Sequence, residues 1–98
     1  MINFKVTEKN EFTIVHFELE GSITPDVLQD LRPPKVNYAK GVILSGRGPI
    51  WLYCYLAHYY HPTKFIATFD PRIGAVIVES HSQEYKVGEV IKVNVNEL

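Results

Sequence analysis

Apolar and polar residues alternate along INFKVTE and again along FTIVHFEL, on either side of the polar run Glu8 to Glu11. A period of two in both arms predicts a β-hairpin. His16 falls in the second arm, as a strand residue on the wetter face. SITPDVLQDLRPP is punctuated differently: Thr24 stands as an N-cap, Pro25 at the first helical position, Asp26 in the first turn and Pro33-Pro34 as a stop, which predicts a short helix. After the loop KVNYAKG, the run VILSG is continuously apolar up to its serine and glycine, as expected of a strand covered on both faces.

SGRGPIWLYCYLAHYYHP sets Pro49 just inside a helix start and Pro62 just past its end. The helix between them is apolar or aromatic around most of its circumference, with Ile50, Cys54 and Ala57 on one stripe and Trp51, Tyr55 and Tyr59 on another. One stripe is expected to cover the sheet and the other to meet a subunit partner. KFIATFD and GAVIVES are β-rich runs joined by PRI, too short for a crossover helix, so they should pair as a hairpin. EVIKVNV alternates and is expected to be a last strand. The order of elements predicts one α/β domain over residues 1–98, with a central sheet built on a strand-helix-strand unit, two helices and peripheral β-hairpins. Ligand sites in such sheets lie beyond the carboxyl ends of the strands.

Composition narrows the partners. A chain of 98 residues, 46% hydrophobic and 12% aromatic, can bury one core and not two. Ten basic residues against eleven acidic ones leave a net charge of -1, which provides no field for long DNA or RNA. A nucleic-acid partner should be small or held at a focused site. Cys54, the one cysteine, cannot form an internal disulfide and is expected as a buried, inert thiol of a cytoplasmic protein. MINFKVTEKN lacks the features of a signal peptide, and no run approaches the roughly 20 apolar residues of a membrane span, so no membrane partner is expected.

The candidate chemistry begins at LSGRGPIW. Ser45 would end a strand, Gly46 and Gly48 would let the backbone approach a ligand, and the helix start behind them would aim free N–H groups at an anion. Arg47 would add a bidentate phosphate contact. The Lys-Ser/Thr ending of a Walker A loop is missing, so the turn suits either a plain strand-to-helix connection or an anion site. His58 and His61 lie three apart on the last helical turn and can project to one side, although a helix C-terminus also favours a cationic histidine without any catalysis. A parallel strand-helix-strand unit puts that helix end opposite the strand's carboxyl end. His61 and Asp70 therefore need not meet within one subunit, and a second subunit would be the natural supplier. Asp70 opens an Asp-Pro turn as readily as it offers a carboxylate. Glu79 and His81, at i and i+2, share a face of the next strand, and with Asp70 they could form an O/O/N donor set that suits manganese, iron or zinc more than calcium. No nucleophile motif is present, so an enzyme built here would use His, Asp, Arg and a metal on a phosphoester.

The segment GVILSGRGPIWLYCYLAHYYHPTKFIATFDPRIGAVIVESHS combines SGRGPIW, His-Pro after the helix, DPR and a late E-S-H. In this combination the chain closely resembles the small CRISPR-associated family called Csx-three, the third CRISPR ring nuclease. The resemblance implies a Rossmann-like domain, distantly akin to domains that sense cyclic oligoadenylates. It implies a manganese-dependent ribonuclease, either a 3′ deadenylating exonuclease on RNA or a ring nuclease that opens cyclic tetra-adenylate and switches off type III CRISPR signalling. It also implies a homodimer that becomes a tetramer on its ligand. By position, His61, Asp70 and Arg72 match catalytic residues, and Asp70, Glu79 and His81 match the metal region. Ser45 and Arg47, with Gly46 and Gly48 of the same turn, look like ligand contacts, and His58 is ancillary beside His61. A module that binds the cyclic nucleotide without cutting it is the rival from another class, to which the catalytic set would be surplus.

Overall fold

The computed structural model describes residues 1–98. β1 (Ile2–Glu8) and β2 (Phe12–Leu19) form the expected hairpin, in register from Ile2 opposite Leu19 to Glu8 opposite Thr13. β3 (Gly41–Gly46) and β4 (Phe65–Asp70) extend the sheet parallel to β2, with α1 (Ile50–Tyr59) crossing between them. β5 (Gly74–Ser80) returns antiparallel to β4, and β6 (Val90–Ile91) completes a six-stranded mixed sheet whose strand order is the chain order.

Alternation along the strands assigns the two faces. Val15, Phe17, Val42, Leu44 and Ile66 point to the side covered by α1, where Leu52, Leu56 and Tyr60 are fully buried against them. Each such side chain contributes about 1.5–3 kcal/mol of burial. That burial holds α1 in place, because Pro49 at its N-terminus offers no side-chain cap. Ile14, Ile43, Phe65, Ala67, Ala75 and Ile77 point to the opposite face. The C-terminal segment covers that face: Tyr85, Val93 and Leu98 lie on it, with the Phe65 and Tyr85 rings stacked at 4.3 Å. β3 is buried on both sides, as its unbroken apolar run predicts.

Three expectations are corrected. The segment after Thr24 forms only a 3₁₀ turn, Pro25–Gln29, so the sheet has one α-helix and not two. Thr24 makes no capping bond to the backbone, because its hydroxyl donates to the Asp26 carboxylate, and five residues are too few for an α-helix to sustain itself. EVIKVNV pairs only through Val90 and Ile91. The chain then leaves the sheet for a second 3₁₀ turn, Val95–Glu97, whose capping box joins Asn94 and Glu97. The inward stripe of α1 is Leu52, Leu56 and Tyr60, while Ile50 is 82% exposed and Cys54 is an exposed thiol, not a buried one. A helix apolar all round has no polar face to orient it, and the stripe that best fills the sheet wins.

Candidate ligand and catalytic site

Because β2, β3 and β4 run parallel, their carboxyl ends share one edge of the sheet. At the end of β3 the chain must turn over Phe17. Gly46 makes this turn at φ +138°, where any Cβ would run into the Phe17 carbonyl oxygen and ring. Gly48 also passes against that ring. The Gly-Arg-Gly spacing therefore has a packing cause, and it leaves Arg47 exposed at the edge, directly before α1. Tyr53 on α1 locks the turn, its hydroxyl donating to the Gly46 carbonyl at 2.6 Å while burial pushes its pKa up.

Two cavities flank this edge, one on each face, and Phe69 and Pro71 line both. The first, of about 700 Å³, opens on the face away from α1 and takes its polar character from His16, Glu18, Ser45 and Arg47. Leu19, Phe69, Val95 and Leu98 are among its apolar walls. His16 Nδ1 and Ser45 Oγ share a hydrogen bond of 3.0 Å, and His16 Nε2 lies 3.9 Å from the Glu18 carboxylate. The sequence pattern passes over His16 as a strand residue. Its signal is the parallel register, which sets it directly opposite Ser45.

The second cavity, of about 530 Å³, lies on the α1 side between Gly48, Ile50, Cys54 and the turn Asp70-Pro71-Arg72. Arg72 grips Asp70 three times: its backbone N–H donates to Oδ1 at 2.9 Å, Nε donates to Oδ1 at 3.1 Å and Nη2 donates to Oδ2 at 2.9 Å. These hydrogen bonds hold the Asp70 carboxyl below the usual aspartate range and push the Arg72 pKa up. The Arg72 side chain is 86% exposed, so it is free to exchange its carboxylate for a phosphate.

The remaining candidates stand at the other end of the sheet. His61 follows α1, and His58 lies one turn back with its ring stacked at 6.5 Å. His81, just past β5, is edge-on to His61 at 5.8 Å and donates from Nε2 to the His61 carbonyl at 3.0 Å, which leaves Nδ1 as its free nitrogen. Glu79 faces the α1 side opposite Ile66, and its Oε1 is buried without a hydrogen-bond partner.

The structure thus divides the predicted residues. His61 precedes β4 and Asp70 ends it, so the whole strand, about 17 Å at 3.3 Å per residue, separates the two. As the parallel crossover requires, they do not meet within one chain. The expected donor set of Asp70, Glu79 and His81 does not assemble in one chain either. Asp70 pairs with Gly74 and Glu79 with Ile66, about 13 Å apart along β4. Glu79 and His81 keep free donor atoms of the right kind, and Asp70 is committed to Arg72.

A family model described as CRISPR-associated protein (Cas_csx3) matches residues 16–92. An uncharacterised protein of Aquifex aeolicus (strain VF5) is 51% identical over 88 residues, an alignment that covers 85% of this chain and 79% of that protein. Every candidate site residue falls inside the matched span, whereas Val95 and Leu98 of the first cavity's wall do not.

Proposed function

The chain belongs to the CRISPR-associated Cas_csx3 family, and on that premise we propose that it is a phosphodiesterase that opens cyclic tetra-adenylate and so ends a type III CRISPR signal. The observation that carries this reading is that Arg47, Arg72 and the start of α1 all stand at one edge of the sheet, Arg47 on the first cavity and Arg72 and the helix start on the second. Two guanidinium groups and a helix N-terminus suit phosphates, and the near-neutral chain suits a small nucleotide over a long strand. The parallel β2-β3-β4 core with its α1 crossover supports a distantly Rossmann-like assignment, since ligands in such sheets sit beyond the carboxyl ends.

In this mechanism Arg47 and the first turn of α1 hold phosphate oxygens. Arg72 leaves Asp70 to stabilise the charge that develops on the scissile phosphodiester. His61 transfers protons, since imidazole is the side chain best suited to general acid and base work near neutral pH. Because His61 stands a strand's length from Asp70, it is supplied by a second copy, which makes the working unit a homodimer, or a tetramer when two dimers enclose the ring. Manganese would likewise draw Glu79 and His81 from one copy and Asp70 from another.

The test incubates purified protein with radiolabelled cyclic tetra-adenylate and, separately, a 3′-oligoadenylated RNA, each with manganese or with EDTA. The expected result is metal-dependent ring opening faster than RNA trimming, lost in Asp70→Ala. Tight binding of the ring without cleavage would make the protein a sensor or a sponge. Trimming of the RNA alone would make it a 3′ deadenylating exoribonuclease.

A further inference from the structure

His16 and Ser45 lie outside the reaction just described, yet they form a hydrogen-bonded side-chain pair in the lining of the first cavity. Ser45 is 1% exposed, so its hydroxyl can serve only His16 and the space it lines. With the ring proton on Nε2, the nitrogen 3.9 Å from the exposed Glu18 carboxylate, Nδ1 accepts the Ser45 hydroxyl proton at 3.0 Å. A serine whose proton is committed in this way presents an oxygen lone pair, an acceptor waiting for a hydroxyl or amide donor. Arg47 stands on the same cavity wall and supplies the positive charge, and Phe69 and Leu98 supply apolar area against which a flat ring can lie. At about 700 Å³ the space falls within the usual range for a small-molecule site.

We propose that the His16–Ser45 pair is a sugar-reading element: Ser45 Oγ accepts a hydrogen bond from a ribose hydroxyl of a nucleotide unit whose phosphate is held by Arg47, and His16 acts through Ser45 as its positioning residue. The inference rests on the nucleotide reading above and deepens it, because it assigns the ability to tell a ribonucleotide from a deoxyribonucleotide to a residue outside the Asp70–Arg72 turn. A deoxy ligand would leave the Ser45 oxygen buried without a donor, which is the kind of mismatch that binding sites reject.

The experiment measures the affinity of AMP and 2′-deoxy-AMP by calorimetry for the wild-type chain and for Ser45→Ala, His16→Phe and His16→Asn, with the fold of each checked by circular dichroism. Wild type is expected to prefer AMP by about 5- to 10-fold, the worth of one hydrogen bond. Ser45→Ala and His16→Phe should bring the ratio close to one by weakening AMP and leaving 2′-deoxy-AMP unchanged. Asn places an amide near the Nδ1 position and should restore the preference. A variant that merely loosens the strand would weaken both nucleotides equally, so an unchanged ratio in folded His16→Phe overturns the proposal, as does a wild type that binds neither nucleotide. Discrimination by the pair together with an uncut cyclic tetra-adenylate would leave the sugar-reading element standing and remove the phosphodiesterase.

Discussion

The two ends of the sheet carry similar side chains in opposite states of completion. At the carboxyl end of β2 to β4, the polar groups other than the exposed Arg47 are held in pairs: Asp70 by Arg72 and His16 by Ser45, while the glycine turn is wedged over Phe17 and pinned by Tyr53. At the other end, Glu79 has a buried oxygen with no partner, and the exposed rings of His58, His61 and His81 are tied down by a single hydrogen bond from His81. One end is a preorganised edge whose charges are already oriented. The other is a group of donors left incomplete within one chain, the feature on which the proposal of a catalytic set divided between copies rests.

His61→Ala should have the largest effect, lowering turnover of cyclic tetra-adenylate by about 10²- to 10⁴-fold while leaving its dissociation constant within a few-fold of wild type. Separate measurements of kcat and Kd would read this, and equal losses in both would place His61 in binding. Gly46→Ala attacks the finished end through the backbone. Strain at a positive φ, together with the collision with Phe17, should cost about 1–3 kcal/mol of stability, visible as a lowered Tm, whereas Gly88→Ala, which meets no neighbour, should cost less. An equal mixture of His61→Ala and Asp70→Ala chains, denatured and refolded together, should recover about a quarter of wild-type activity, since half of randomly formed two-fold dimers are mixed and each carries one intact site. No recovery would return both residues to a single chain. The smallest effect is electrostatic. Asp70 titrates below its ordinary value, so its pairing with Arg72 is present above about pH 4 and is lost as the pH falls through the lowered value. Arg72→Ala should move the carboxyl midpoint of Asp70 upward in an NMR titration and barely change Tm, because the pair is exposed to solvent.

Much of this architecture is legible in the sequence because local chemistry dictates it. The alternation in β1 and β2, the short PRI linker and the unbroken VIL run each leave one way to pair, and the parallel crossover alone separates His61 from Asp70. Where tertiary contacts decide, the sequence is silent. The apolar circumference of α1 conceals that Leu52, Leu56 and Tyr60 form its buried stripe, and Val93, which alternates with Ile91 like a strand residue, is spent with Leu98 on covering the second face. His16 shows the same limit. Nothing adjacent in the chain marks it, and only the register of β2 against β3 brings it to Ser45, 29 residues away.

The coincidence of strand order with chain order also bears on how the protein is made. Each strand that leaves the ribosome finds its neighbour already present, and the longest waits are the crossovers over residues 20–40 and 47–64, whose closure entropy grows only slowly with length. The helix-covered core can therefore set before synthesis reaches residue 85. The face that Tyr85, Val93 and Leu98 must cover stays bare until then, and with it the outer wall of the first cavity. A nascent chain would thus have its hydrophobic centre before it has a place to hold a ligand.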